Sequence, residues 1–305
     1  MEIALSTAWN SAKYKQGAII IREIRDLGFK NIELGFNLTD NMVRDIAGIA
    51  SNSGIKILSL HNYCPIPEKL ARKKALPDCY SLASLNETER NLAVRYTKQS
   101  INTASCLNAK AVILHCGRVE MVDPTRQMIS YYNSGKWDGS FAAKFKRDIY
   151  QARKEKIRLH FSKLLKSLDE LAKYAQKRKV KLGIENRFYY REIPSLEEIG
   201  LILNRFKGGI VFYWHDTGHA KLWENLGFLK HLDYLNNYSS RLAGMHLHDI
   251  KRQQDHKAPL KGELDFKTFK KYIKPGTLLT MEVHSSATGQ EIVQAKKYLE
   301  VIFKT

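Results

Sequence analysis

The chain has few cysteines, no long apolar run and fewer acidic than basic residues. Its four cysteines, none of them in a C-x-x-C pair, are too few for a disulfide scaffold and exclude a zinc ribbon or a thioredoxin motif. No apolar stretch approaches the roughly 18 residues that span a membrane. A signal peptide has a basic region followed by an apolar one, and the start MEIALSTAWN lacks this pattern. We therefore expect a cytoplasmic protein with no membrane partner.

The shortage of acidic residues leaves a net charge of +19. Residues 136–181 contain 15 Lys and Arg against 5 acidic residues. Such a stretch can attract phosphates, either on nucleic acid or on a small substrate. Few aromatic residues interleave with the charges after Phe161, which favours a solvated helix face, with phosphate binding as the alternative.

Eight short apolar runs alternate with helical patterns along the chain. Nearly continuous apolar runs are typical of parallel strands that are covered on both faces. No G-x-G-x-x-G follows the first run, which disfavours a dinucleotide-binding fold, and 305 residues suit a closed barrel. We predict an α/β protein, a closed (β/α)8 TIM barrel forming a single domain over residues 1–305. The predicted strands are Glu2–Ser6, Asn31–Phe36, Lys56–His61, Ala111–Cys116, Lys181–Glu185, Ile210–Asp216, Leu242–His248 and Leu278–Val283.

Helical periodicity separates these strands, and two connections are long. Asn62–Asn86 follows the third strand and Gly117–Ile157 follows the fourth. Long loops on the active-site face are commonly lids or segments that hold substrate. The predicted helices are Ala18–Leu27, Asp40–Ser53, Glu87–Leu107, Arg158–Gln176, Ser195–Phe206, Asn225–Tyr238, Phe266–Ile273 and Gln290–Ile302.

Seven of the eight apolar runs have a residue that can bind a metal at or near their carboxyl end. A single buried His or Glu is more often structural, but the carboxyl ends of barrel strands converge on one mouth, where such enzymes carry out their chemistry. Equivalent placement on successive strands therefore indicates a shared metal centre. The seven residues are Glu33, His61, His115, Glu185, Asp216, His246 and Glu282.

The last four of these residues lie on strands five to eight, which are neighbours around a barrel. Glu185, Asp216, His246 and Glu282 supply three carboxylates and one imidazole. This donor set suits Mn²⁺, Mg²⁺, Co²⁺ or Zn²⁺. We expect these four side chains to hold a divalent metal cofactor.

Additional ligands would raise the number of ions to two or three. His61 and His115 end strands three and four, and His219 lies one helical turn beyond Asp216. Asp255 and His256 lie in the loop after strand seven. Each mouth histidine can instead form a hydrogen bond with substrate, so both interpretations stay open.

Other polar residues surround these candidate ligands. Arg118, Arg187 and Lys251, in the loops after strands four, five and seven, are expected to bind a phosphate or carboxylate of the substrate. His215 should face the helix layer if Asp216 faces inward. His248 and His284 should lie further out, towards solvent.

These motifs resemble the xylose isomerase-like TIM-barrel superfamily, which holds sugar isomerases and epimerases as well as endonuclease IV. The similarity covers essentially the whole chain. In endonuclease IV the last ligand pair is spaced Asp-x-His, whereas Asp255 and His256 are adjacent here. The motifs are HNY at 61–63, HCG at 115–117, IEN at 184–186, HDTGHA at 215–220, HLHD at 246–249, DHKAPLKGELDF at 255–266 and MEVH at 281–284.

The resemblance implies two alternative reactions. The first is isomerisation or epimerisation of a sugar, sugar phosphate or related polyol through an enediolate, with Glu185 and Glu282 as catalytic acid and base. There the single metal would bind Glu185, Asp216, His246 and Glu282. The second is zinc-dependent cleavage of abasic-site DNA, with nucleic acid as the partner and extra zinc ligands at His61, His115, His219 and the pair Asp255 and His256.

Overall fold

The computed structural model describes residues 2–304, and its main sheet is a closed barrel of eight parallel strands. Parallel pairing continues around the ring and closes between the first and last strands, where Ala4 pairs with Thr280. The predicted closed (β/α)8 barrel is confirmed. The barrel strands are β1 (Ala4–Ser6), β2 (Asn31–Leu34), β3 (Lys56–His61), β4 (Ala111–Leu114), β5 (Lys181–Glu185), β6 (Val211–Asp216), β7 (Leu242–Leu247) and β10 (Leu278–Met281).

A tryptophan fills the barrel interior. Trp214 is fully buried and packs with Ala111, Ile113 and Ala243. Gly244 faces this indole, and a Cβ atom there would lie 2.4 Å from it. Real Cβ atoms do not approach so closely, so a small side chain on one strand admits a large one on the next, as in layered barrel cores.

Helices cover the outside of the barrel. Thr39 caps the second helix by accepting a hydrogen bond from the Met42 backbone N–H over 3.3 Å, and Gly54 ends it with φ +70°. The helices are α1 (Gly17–Asp26), α2 (Asp40–Ser53), α3 (Glu87–Cys106), α4 (Thr125–Asn133), α5 (Gly139–Arg178), α6 (Leu196–Arg205), α7 (Thr217–Asn225), α8 (Asp233–Tyr238) and α9 (Gly289–Ile302). A 3₁₀ helix, Phe266–Tyr272, replaces the predicted helix before β10.

The connection after β4 differs most from the prediction. It contains α4 and the first half of α5, a helix of 40 residues, so the predicted long loop Gly117–Ile157 is wrong over most of its length. Apolar contacts explain this helix start, since Phe145 and Ile149 pack on a second apolar cluster around Met128 and Trp223. The connection after β3, residues 62–86, contains only a short 3₁₀ turn.

The region after β6 was also predicted wrongly. Two helices, α7 and α8, replace the single predicted helix Asn225–Tyr238. The first begins directly after Asp216, because the Asp216 carboxylate accepts the His219 backbone N–H over 2.8 Å. After β7 an antiparallel hairpin, β8 (Asp249–Lys251) and β9 (Gln254–Lys257), stands apart from the barrel sheet.

The basic stretch, residues 136–181, consists of α5 and three residues on either side of it. This helix packs against α3 in the outer layer, and several of its charges are paired there, as in Lys163 with Glu87 at 2.5 Å. Arg153 pairs with Glu198 at the start of α6 over 2.6 Å. Among residues 2–304, no helix is both long enough and apolar enough to cross a membrane.

Candidate metal centre

Four predicted ligands meet at the carboxyl ends of four consecutive strands. Glu185, Asp216 and His246 are the last or next-to-last residues of β5, β6 and β7, and Glu282 follows β10 directly. One ligand atom of each lies within 4.8 Å of the ligand atoms of the other three, and all four residues are buried. Three carboxylates and an imidazole this close together suit a divalent ion.

His246 lies at the centre of this group. Its Nδ1 is 2.6 Å from Glu185 Oε1 and 3.0 Å from Glu282 Oε2. Its Nε2 lies 3.2 Å from Glu33, whose carboxylate in turn accepts a hydrogen bond from the Ser59 hydroxyl over 2.7 Å. Metal-binding histidines usually donate their second N–H to such a carboxylate. The geometry therefore leaves Nδ1 of His246 as the ligand atom.

The electrostatics of the centre follow from burial and paired charges. Burial lowers the pKa of His246, but Glu282 and Glu33, with the hydrogen bond to Glu185, raise it well above its ordinary value. Burial raises the pKa of Glu185, but Arg187, with hydrogen bonds from His115 and His246, holds it well below. Without an ion, the centre thus holds ionised carboxylates around a protonated His246.

The two oxygens of Glu185 have different partners. Oε1 faces His246, whereas Oε2 accepts a hydrogen bond from the Arg187 guanidinium and lies 3.0 Å from His115 Nε2. Arg187 is itself buried and reaches Glu192 with its other amine over 3.2 Å. Only Oε1 is therefore directed towards the four-ligand group.

His61, His115 and Glu185 form a second group with ligand atoms within 4.8 Å of one another. His61 Nδ1 lies 3.1 Å from the Asn62 carbonyl, so its Nε2 is free to bind an ion. His115 Nδ1 is buried and has no hydrogen-bond partner among residues 2–304. Burial, with the nearby Arg187 charge, lowers the pKa of His115 to about 3. The neutral ring can thus carry its proton on Nε2 and donate it to Glu185.

A third group comprises Asp216, His219, His248 and His256. His248 is fully buried, with Nε2 2.9 Å from both Asp216 oxygens, so its expected position towards solvent is wrong. Its Nδ1 accepts the His256 backbone N–H over 2.9 Å, which places the ring proton on Nε2. His248 therefore donates to Asp216. His219 donates from Nδ1 to the Asn186 carbonyl over 3.0 Å and keeps Nε2 free.

The adjacent pair Asp255 and His256 lies on β9. Asp255 Oδ2 is 3.8 Å from His219 Nε2 and 3.0 Å from His256 Nδ1, and His256 Nε2 is 3.8 Å from Glu282 Oε2. Both residues thus border the mouth. The His256 ring is stacked between His248 and the exposed His284, with both centroid separations 4.1 Å.

The three cations expected to bind substrate have different surroundings. Arg187 is buried against Glu185 and Glu192. Arg118 is partly exposed and donates to the Asp78 carbonyl over 3.0 Å. Lys251 is exposed at the end of β8. Arg118 and Lys251 thus have solvent-accessible side chains, whereas the Arg187 guanidinium is already used within the mouth.

A cavity of about 630 Å³ lies beside the mouth, between α5, the loop after β5 and the α7–α8 region. Arg187 and Glu192 form part of its wall, together with aromatic side chains such as Tyr190 and Trp223. The cavity therefore adjoins the metal centre through the Arg187 ion pair.

Three residues of the site were missed or undervalued in the sequence. Glu33 was noted as a strand end but was not assigned to the centre, because β2 lies away from β5–β10 in strand order. His248 is the third residue of HLHD, and Asn186 is the last of IEN. Asn186 binds the Asp216 backbone through both ends of its amide. The motifs contained these residues, but side-chain contacts across strands are not visible in sequence spacing.

A closed α/β barrel with carboxylates and histidines gathered at its carboxyl-end mouth defines the class of protein to which this chain belongs. The profile of the family described as "Xylose isomerase-like TIM barrel" matches residues 21–302, so the chain belongs to that family. This confirms the resemblance drawn from the motifs. No curated protein sequence matches the chain significantly.

Solved structures share the fold at low sequence identity. A D-tagatose 3-epimerase-like protein is 16% identical, with a TM-score of 0.68 over 100% of this chain and 97% of its own. A putative xylose isomerase from Rhodospirillum rubrum is 15% identical, with a TM-score of 0.72 over 99% of both chains. The 3-keto-D-glucoside 4-epimerase of E. coli is 14% identical, with a TM-score of 0.69 over 99% of both.

Proposed function

We propose that this chain is a divalent-metal-dependent isomerase or epimerase that acts on a sugar, sugar phosphate or related polyol. The observation that carries the proposal is the convergence of Glu185, Asp216, His246 and Glu282 within 4.8 Å at the barrel mouth. The names of the structurally similar epimerases, which refer to sugar substrates, support the same class of reaction.

Glu185 and Glu282 are suited to exchange a proton at a substrate carbon. Both lie beside His246 Nδ1, at 2.6 and 3.0 Å, and they come from strands that are three places apart around the barrel. Burial raises the pKa of Glu282, but His246 and His256 hold it well below its ordinary value, so both carboxylates are ionised and can accept a proton. The bound divalent ion would polarise the substrate carbonyl and its neighbouring hydroxyl.

We further propose that the mouth holds one ion in the four-residue group and no second ion at His61, His115 and Glu185. Oε2 of Glu185, which such an ion would need, already accepts from Arg187 and faces the His115 Nε2–H. A cation there would be repelled by the guanidinium; two unit charges 4 Å apart interact by about 4 kcal/mol at a dielectric constant of about 20. The unpartnered His115 Nδ1 also differs from the usual metal-bound histidine.

The second candidate function is zinc-dependent phosphodiester cleavage at abasic DNA. The groups at His61–His115–Glu185 and at Asp216–His219–His248–His256 favour it, because such a reaction uses neighbouring ions to activate water and to stabilise the leaving oxygen. The adjacent spacing of Asp255 and His256 opposes it, because the corresponding ligand pair of endonuclease IV is spaced Asp-x-His.

The deciding experiment compares both reactions with the same protein preparations. Metal-loaded wild type is incubated in D₂O with a panel of ketoses and ketose phosphates, and separately with a duplex containing one abasic site. We expect deuterium incorporation into a sugar that Glu185→Gln and Glu282→Gln abolish. Glu155→Gln, on the exposed face of α5, is the matched control and should retain exchange. Strand cleavage without exchange into any sugar would establish the second candidate instead.

A further inference from the structure

A chain of four buried side chains runs through the helix layer behind the metal centre. His231 Nε2 lies 2.9 Å from His215 Nε2, and His215 Nδ1 lies 2.6 Å from the Tyr213 hydroxyl. The same hydroxyl lies 3.0 Å from Asn186 Oδ1. Tyr213 and His215 alternate with the inward-facing Trp214 and Asp216 on β6, which confirms that His215 faces the helix layer.

Asn186 is held in one orientation. Its Oδ1 accepts the Asp216 backbone N–H over 2.8 Å, and its Nδ2 donates to the Asp216 carbonyl over 2.9 Å. Exchanging the two amide atoms would set a donor against an N–H and an acceptor against a carbonyl, so the assignment is determined by the backbone. The atom that faces Tyr213 is therefore an acceptor.

The orientation of the Asn186 amide determines the position of every proton in this hydrogen-bond chain. The single hydroxyl proton of Tyr213 is donated to Asn186, so the Tyr213 oxygen can only accept from His215 Nδ1–H. The His215 ring is fully buried, and among residues 2–304 its two nitrogens contact the Tyr213 hydroxyl and His231 but no carboxylate, so the ring is neutral and its Nε2 carries no proton. That nitrogen must accept from His231 Nε2–H. Donation thus runs in one direction, from His231 to Asn186.

We propose that His231, His215 and Tyr213 are positioning residues for the metal centre, acting through Asn186. Asn186 holds the main chain of Asp216 at the end of β6 and accepts the Nδ1–H of His219 through its own carbonyl. The hydrogen-bond chain therefore fixes where the Asp216 carboxylate stands and which nitrogen of His219 is left free. The effect on ion binding rests on the proposed function, because it assumes that Asp216 is a ligand.

The direction of donation along these hydrogen bonds can be measured in metal-free protein. Long-range ¹H–¹⁵N correlation spectra of ¹⁵N-histidine-labelled protein distinguish the two neutral tautomers of each ring. We expect His215 protonated on Nδ1 and His231 protonated on Nε2, with the signals assigned from the spectrum of His231→Gln. A His215 ring protonated on Nε2 would overturn the proposal, and this result does not depend on whether an ion binds.

The positioning effect is measured as ion affinity by calorimetry. Tyr213→Phe removes the only proton that the chain delivers to Asn186, and we expect the affinity for Mn²⁺ or Co²⁺ to fall about 10- to 100-fold, as for other residues behind metal ligands. Tyr234→Phe is the matched control. Its ring is buried and stacks on Tyr213 with centroids 6.4 Å apart, so this variant loses a neighbouring hydroxyl that is not part of the hydrogen-bond chain. Equal affinities for the two variants would refute positioning.

A second pair of variants separates positioning from packing. His231→Gln keeps an N–H donor near His215 Nε2, whereas His231→Leu leaves that buried nitrogen without one. We expect the Gln variant to retain wild-type affinity and the Leu variant to lose it, with the Co²⁺ absorption spectrum altered only in the Leu variant. Equal behaviour of Gln and Leu would show that only the volume of the side chain matters. If wild type binds no ion, the proposed function fails. The tautomers of His215 and His231 then decide alone whether hydrogen-bond donation runs from His231 to Asn186.

Discussion

Glu33 lies 3.2 Å from Nε2 of His246, on the side of the imidazole that faces away from Glu185. It comes from β2, outside the group of strands that carry the four candidate ligands. A carboxylate in this position orients the ring and increases the basicity of the other nitrogen, which is the one directed at the metal centre.

Replacement of Glu33 should therefore weaken ion binding without removing a ligand. We expect Glu33→Ala to lower the affinity for a divalent ion by about 10- to 100-fold and Glu33→Gln to lower it less, because an amide oxygen still accepts the Nε2–H. Calorimetric titration of the metal-free protein measures both. Ser59→Ala, which removes the hydroxyl bonded to Glu33, should have a smaller effect in the same direction. An unchanged affinity in Glu33→Ala would contradict this role.

Ion binding should release a proton from His246. Its pKa is raised well above the ordinary value, so the ring is protonated at neutral pH in metal-free protein and must lose the Nδ1 proton to bind an ion. Affinity should therefore rise with pH as long as the pH is below that raised pKa. Titrations in two buffers of different ionisation enthalpy count the protons released. Glu33→Gln removes one of the charges that raise this pKa and should release fewer protons at the same pH.

Arg187 should limit the number of ions in the mouth. In Arg187→Met the cation beside Glu185 Oε2 is absent, and we expect the zinc content after dialysis to rise from one ion per chain to two. Arg118→Met is the matched control, since Arg118 pairs with Asp78 and lies outside the group, and it should keep one ion. Removing a buried ion-pair partner costs about 3–5 kcal/mol, so circular dichroism must first show a folded protein. A wild type that already binds two ions would disprove this explanation.

Gly218 admits the His248 ring to Asp216. A Cβ atom at this position would lie 2.2 Å from the imidazole, so Gly218→Ala should displace the ring and break its hydrogen bond with Asp216. We expect a loss of about 1–3 kcal/mol in unfolding free energy, because buried polar groups lose their partners. Gly48→Ala provides the control: apart from the helix backbone, no atom of residues 2–304 lies within 4 Å of the added Cβ, and alanine is favoured over glycine inside a helix such as α2. The Gly48→Ala variant should have a slightly higher free energy of unfolding than wild type.

The strands and their terminal ligands could be predicted because both depend on local patterns. Continuous apolar runs located all eight barrel strands, and the metal-type residues at or near the ends of these runs placed Glu185, Asp216 and His246 at the mouth. The prediction of a single domain over residues 1–305 follows from the same alternation and stays a prediction.

The errors arose where contacts between distant parts of the chain decide the structure. Asp216 is both a candidate ligand and the cap of α7, so a helix begins at Thr217, before the predicted start at Asn225. The start of α5 depends on packing against Met128 and Trp223, which a helical pattern alone does not reveal. The proton positions on His115 and His248 depend on partners that strand-end spacing cannot supply.

The β8–β9 hairpin forms a sheet of its own, with no ladder to the barrel strands. It carries Asp255 and His256, whereas the four central ligands come from the barrel itself. We therefore expect that the segment between Asp249 and Lys257 can be replaced without altering the register of the barrel strands. Grafting a hairpin with an Asp-x-His spacing onto this barrel would make an engineered series in which the outer ligands vary while the inner ones stay constant.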